Sequence, residues 1–272
     1  MTEGAGLSQS RSWLTPLRSV LAVLGIALWF VCLVPPVAGW SSRYEFAQTI
    51  QYGVFAFCVP VLLAAGAPWR RLGLASRESH RVDDDGVQVS PLQPQFFDRI
   101  AIARTRATGD RRAISLAGIF IVLEIFWRVA PVVDYLATHA WLAFFESLSF
   151  VGAGVALFLS LIESPPLSPG TGRVYRIGIS AAVMWTIWVI AYLDGMSQSS
   201  WYHAFHHVAG HGLSRSADQQ FSSGSIWLIS AVVFLPIVFW NLVHWLQSEE
   251  DPSDELYRML RQERSRGFFG TA

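Results

Sequence analysis

The chain has 272 residues, 52% of them hydrophobic and only 15% charged, with no formal net charge. A soluble domain of this size has no use for so large an apolar excess, and nothing in the neutral balance points to nucleic acid. All twenty basic residues are arginine, which excludes retinal or pyridoxal Schiff bases and a phosphate-loop lysine.

A membrane-spanning helix needs roughly 20 mainly apolar residues. Six stretches qualify: Ser19–Trp40, Phe46–Ala67, Ala113–Val132, Trp141–Ile162, Arg176–Leu193 and Ser225–Leu246. The expected fold is therefore all-α, a polytopic integral membrane helical bundle with about six transmembrane helices. The first stretch follows Arg11 and Arg18 and ends in Val37-Ala38-Gly39, which imitates a signal peptide; we read it as a retained helix. Trp40, Trp69, Trp141, Trp201 and Trp227 sit at the ends of apolar runs, as an interfacial aromatic belt requires. Cys32 and Cys58 lie inside apolar runs without a C-x-x-C spacing and read as small buried hydrophobes.

The arginines set the orientation. Seventeen of the twenty fall in the segment before the first span, the Arg70–Arg112 loop, the Arg173–Arg176 loop and the segment after the last span. The positive-inside rule places those segments, and hence the N and C termini, in the cytoplasm. The resulting organisation is a cytoplasmic N-tail over 1–18, a six-helix transmembrane domain over 19–246 and a cytoplasmic C-tail over 247–272. The domain carries a cytoplasmic loop at 69–112 and an outer loop at 194–224. Asp83-Asp84-Asp85-Gly86, Pro91 and Pro94 make the cytoplasmic loop irregular or a small hairpin, and Phe96–Ile100 begins a short interfacial helix. Asp251-Pro252-Ser253-Asp254-Glu255 is a helix start, with Leu256, Met259 and Leu260 as its apolar stripe.

Three ionisable residues fall well inside the spans: Glu124 and Arg128 on the third and Glu146 on the fourth. Intramembrane charge is costly, and its default reading is functional. Glu124 and Arg128 are spaced i, i+4 in the favourable order. Arg128 and Glu146 each lie about five residues, or about 8 Å at helical rise, below the outer surface on neighbouring helices. We therefore expect an intramembrane polar cluster of Tyr52, Glu124, Arg128, Glu146 and Ser147, with Arg128 paired to Glu124 or Glu146. The plainer alternative has Arg128 snorkelling outward and the rest acting as interhelical glue.

A second constellation lies in the outer loop, where His203, His206, His207 and His211 fall within nine residues. On a helix His203, His207 and His211 share a face, an arrangement that binds copper or zinc. The competing reading is a polar, aromatic loop with incidental histidines. No two histidines face each other within the membrane, which argues against a bridged b-type haem, and there is no hydrolase triad, phosphate loop or HExxH motif. The chain is expected not to be an enzyme.

Asp218-Gln219-Gln220, followed by Trp227 and a last span ending at Glu249-Glu250, resembles the final helix of the CtaG-type cytochrome c oxidase assembly proteins. Trp127, Pro131 and Asp134-Tyr135 look like that family's Trp-His-x-Pro…Tyr-Asp region, with the last pair reversed. Glu146-Ser147-Leu148-Ser149-Phe150 looks like its Glu-His-Leu-Ser-Phe. Gln51-Tyr52 with Pro60, Leu62-Leu63, Gly66 and Pro68 looks like its Gln-His…Pro-Leu-Leu…Gly-x-Pro. The similarity runs from about Gln48 to Glu250.

The resemblance implies a protein of the bacterial cytoplasmic (inner) membrane. It would aid biogenesis of a haem–copper oxidase, with copper as its metal, and with lipids and oxidase subunits as partners. The departures bear on the metal: Tyr52, Arg128 and Ser147 stand where the family has membrane histidines, and Ile226 where a methionine is expected. Arg128 would then supply a permanent positive charge in place of a metal. Two functions compete: an oxidase assembly factor handling copper on its outer histidines, and a non-catalytic structural subunit of a respiratory or other membrane complex. A transporter or receptor, the third and weaker reading, would need a polar pathway that the spans lack.

Overall fold

The computed structural model describes residues 4–70, 109–139, 141–165, 167, 169–197, 201–207 and 212–249. The expected features at Asp83–Gly86 and Phe96–Ile100, the C-tail helix after Asp251, and His211 lie outside them.

The described chain is all-helical apart from loops and one isolated bridge between Ser164 and Leu167. Helix α1 (Gly4–Leu33) stops at Val34-Pro35-Pro36, where neither proline has an N–H to continue the ladder. After the short α2 (Val37–Ser41), one span is built from α3 (Glu45–Gly53), a π-turn (Val54–Cys58) and α4 (Val59–Gly66). The wider turn comes just ahead of Pro60, whose missing N–H and bulky ring disrupt a regular i→i−4 register. Ala67 then closes α4 in the left-handed region, at φ 46°, its N–H donating to the Leu63 carbonyl.

Next come α5 (Gly109–Arg128), α6 (Ala130–Thr138), α7 (Leu142–Leu161), α8 (Arg173–Met196), a 3-10 turn at His203–His207 and α9 (Arg215–Glu249). Five helices are long and apolar enough to cross a bilayer, and the bent pair α5–α6 supplies a sixth crossing when counted as one span. The six-span helical reading holds, with one correction. The third span was expected to run straight through Val132, but α5 ends at Arg128 and α6 leaves at 66°. Pro131 explains the break: it offers no N–H to the Trp127 carbonyl, and Val129 turns extended, at ψ 130°.

Helix α9 packs along α8 and α3, α1 along α4, and α5 and α4 against α7. The centre is aromatic, with Phe57, Phe120, Phe150, Phe158 and Phe234 fully buried. The α3–α4 span is the axis of the bundle, with 72% of its most apolar 18-residue stretch buried, whereas only 17% of Pro16–Leu33 is; α1 is peripheral. Glycine permits its contact, since a Cβ on Gly66 would lie 2.5 Å from the Ala22 nitrogen. Trp40, Trp141 and Trp227 are exposed, as a belt requires, while Trp69 is half-buried.

Candidate functional site: a buried polar cluster around Arg128

The packing of the helices brings together the start of α3, the end of α5, the end of α8 and the start of α9. Arg128, the last residue of α5, projects into that junction. Its side chain is 2% exposed, so its charge must be met internally. Nη1 donates to Thr49 Oγ1 at 2.8 Å and to Gln48 Oε1 at 3.3 Å. Nη2 donates to Asp194 Oδ2 at 3.5 Å, forming a fully buried ion pair. The guanidinium carbon also lies 5.6 Å from the Tyr52 ring centre and 5.3 Å from that of Tyr202, within cation–π range of both.

Asp194 is fixed in turn from α9. Ser223 Oγ donates to its Oδ2 at 3.2 Å, and Gln219 Nε2 donates to its Oδ1 at 3.4 Å and to its backbone carbonyl at 2.5 Å. Gly195 lets the two helices close up here, since a Cβ would sit 3.1 Å from Ser223. One residue before Gln219, the Asp218 carboxylate accepts the backbone N–H groups of Glu45 and Phe46, each at 2.9 Å. It caps the N-terminus of α3, whose own N-cap residue, Tyr44, makes no side-chain cap. Thr49 and Ser222 share a 2.6 Å hydroxyl contact. Asp218 and Gln219 thus tie α9 to α3 and α8, whereas Gln220 is exposed and the exposed Trp227 meets Trp188 at a tilt of 44°, ring centres 4.8 Å apart.

The other expected cluster members fall differently. Tyr52 is buried, its hydroxyl donating to the Glu124 carbonyl at 3.3 Å and its ring meeting Phe150 edge-on. Glu124 and Glu146 are fully buried, and their carboxyl oxygens have no hydrogen-bond partner among the described residues. The expected pairing of Arg128 with Glu124 or Glu146 is therefore corrected: the ion-pair partner is Asp194. The reason lies in the helix break. Because α5 stops at Arg128, its side chain leaves the end of the helix toward α3 and α8, where Thr49, Gln48 and Asp194 present oxygens. Ser147 donates within its own helix, to the Phe144 carbonyl at 2.8 Å.

Sequence reasoning missed Asp194, Gln48, Thr49 and Glu45. Glu45 and Asp194 each sat one residue outside an apolar run and looked like part of a loop, while Gln48 and Thr49, uncharged, lay within the outer end of the Phe46–Ala67 run. The available signal was Asp194-Gly195, an acid followed by a residue that allows close helix contact.

In the outer loop, Asp134 on α6 accepts the Ala204 N–H at 2.8 Å, and its Oδ2 lies 3.3 Å from His203 Nδ1. Residues 203–207 form a 3-10 turn, so the α-helical histidine face is not built there. The His206 and His207 side chains lie outside the described residues. Tyr202 is buried against Val133 and Phe205, and its hydroxyl donates to the Arg128 carbonyl at 3.2 Å. Burial pushes the Tyr202 phenol up to about 12.

No three His, Cys, Asp and Glu side chains converge as a metal ligand set among the described residues. The donors at Tyr52, Arg128 and Ser147 do not fit copper. Arg128 has no lone pair to give, the Ser147 hydroxyl is engaged on its own helix, and soft or imidazole ligands are lacking at these positions.

The family assignment rests on a match between residues 4–248 and the model of the cytochrome c oxidase caa3 assembly factor family, Caa3_CtaG. The chain belongs to this family. No curated protein and no solved structure matches it. The caa3 assembly factor match runs from the start of α1 into the last turn of α9, and so takes in every span and the whole Arg128 cluster.

Proposed function

We propose that this chain is a non-catalytic assembly factor of the bacterial cytoplasmic membrane that assists biogenesis of a haem–copper oxidase, with both termini cytoplasmic. Its partners are membrane lipids and oxidase subunits. The observation that carries the reading is the family match over nearly the whole chain, on a six-crossing bundle whose Asp218-Gln219 segment organises one end. If copper is handled as cargo, the place for it is the outer loop with His203, His206, His207 and His211, since the membrane positions do not fit it. Deleting the gene tests the role. Assembled oxidase, measured as haem absorbance and oxidase activity in washed membranes, is expected to fall and to return when the intact gene is restored. Tagged protein should capture immature oxidase subunits. Unchanged oxidase in the deletion strain overturns the proposal, and stoichiometric recovery with the mature enzyme assigns a resident subunit instead.

A further inference from the structure

Glu124 is the acid of the third span that the Arg128 junction leaves unused. It is fully buried, and neither carboxyl oxygen has a hydrogen-bond partner among the described residues. Side chains on a helix lean toward its N-terminus, so Glu124 leans over the turn that carries Phe120 and away from Arg128, four residues on. That side is aromatic. Tyr52, Phe57, Phe120 and Phe150 close a circuit of rings, with successive centres 6.5, 6.1, 5.8 and 5.0 Å apart, and all four are fully buried. The Tyr52 hydroxyl reaches Glu124 but donates to its backbone carbonyl, at 3.3 Å, and not to its carboxyl.

The charged and titratable groups around Glu124 supply no counter-charge. Arg128 spends both terminal nitrogens on Thr49, Gln48 and Asp194. Helix α3 contributes the Tyr52 phenol, α7 the buried Glu146, α8 the already paired Asp194, and α6 Asp134, engaged on Ala204. A bare carboxylate is too costly in such surroundings, and taking up a proton removes most of the cost. We propose that Glu124 is a proton-binding site in the membrane core, held as a neutral carboxylic acid at neutral pH against the aromatic circuit. Phe234 and Phe158 continue the aromatic packing from Phe57, with ring centres 5.5 Å apart at each step. They close the side away from Arg128, so the proton is held and not passed across the bundle. The proposal rests on burial and packing and stands whether or not the chain acts on an oxidase.

Infrared spectroscopy of the full-length protein in lipid vesicles reads the site. Wild type should show the carbonyl-stretch band of a protonated carboxyl at neutral pH. E124Q should lose a component of that band, E146Q should retain the same component, and E124D should shift it. Folding of each variant is followed by its thermal transition. Identical spectra for wild type and a folded E124Q overturn the proposal. If E124Q does not fold, E124D decides: a component that moves with the shortened acid supports the site, and an unmoved spectrum overturns it. Vesicles carrying wild type should pass protons no faster than vesicles carrying E124Q. A proton leak present in wild type and absent in E124Q overturns the holding role.

Discussion

Asp218 accepts the backbone N–H of Glu45 at 2.9 Å, so the first turn of α9 caps the first turn of α3 from 173 residues away in sequence. The same carboxylate takes the Phe46 N–H, and the next residue, Gln219, holds Asp194 at the end of α8. One dipeptide thereby fixes the relative depth of three spans, and places Thr49 and Asp194 where Arg128 meets them.

Asp218→Ala should therefore destabilise the protein by about 0.5–2 kcal/mol, the range for loss of a helix N-cap. Asp218→Asn, which keeps one acceptor, should lose less. Thermal unfolding in detergent ranks the three proteins, and equal transitions for wild type and Asp218→Ala would remove the cap from the argument.

Breaking the Arg128–Asp194 pair from one side should cost about 3–5 kcal/mol, because the remaining charge is buried without a counter-ion. Arg128→Leu and Asp194→Leu should each show this loss, and the double variant should lose less than the sum of the two. A double-mutant cycle with strictly additive losses would show that the pair is not coupled.

Tyr202→Phe removes the hydroxyl donated to the Arg128 carbonyl and should cost about 1 kcal/mol at neutral pH. It should also change the alkaline limb of stability. The folded phenol is raised to about 12 from an ordinary value of 10.0, so the folded state binds the proton more tightly than the unfolded one. The stability this contributes is fully present below pH 10 and is lost as pH rises through about 12. Wild type should lose its advantage over Tyr202→Phe across that window, as followed by unfolding at stepped pH.

Replacing His203, His206, His207 and His211 together with alanine should abolish any copper uptake by the purified protein, while its thermal transition stays close to wild type. Metal analysis after copper exposure and desalting reads the outcome. Copper retained by the quadruple variant would place the metal elsewhere.

Topology is open to labelling. On a background lacking Cys32 and Cys58, single cysteines at Ser90 and Ser199 should react from opposite sides of the membrane, Ser90 from the cytoplasm. Reaction of both from one side would overturn the arginine-based orientation.

The sequence by itself determined the class of molecule. The lengths of its apolar runs admit helices crossing a bilayer and little else, because backbone polar groups in lipid must be satisfied within their own helix. Glu124, Arg128 and Glu146 stood out as the charges within those runs, and all three are buried; the tryptophan and arginine patterns were likewise local and readable. Arg128's partner was decided only in three dimensions. It depends on the break at Val129-Ala130-Pro131, which turns the end of α5 toward α3 and α8, and on Asp194, a residue at the margin of its run. Asp218 and Gln219 were recognisable as a motif, but their work is contact with residues far away in sequence. Hydropathy reports which segments leave water. Which polar atoms then meet is set by where each helix ends and by how closely its neighbours approach, and Pro131, Gly195 and Gly66 acquire that meaning only once the bundle is assembled.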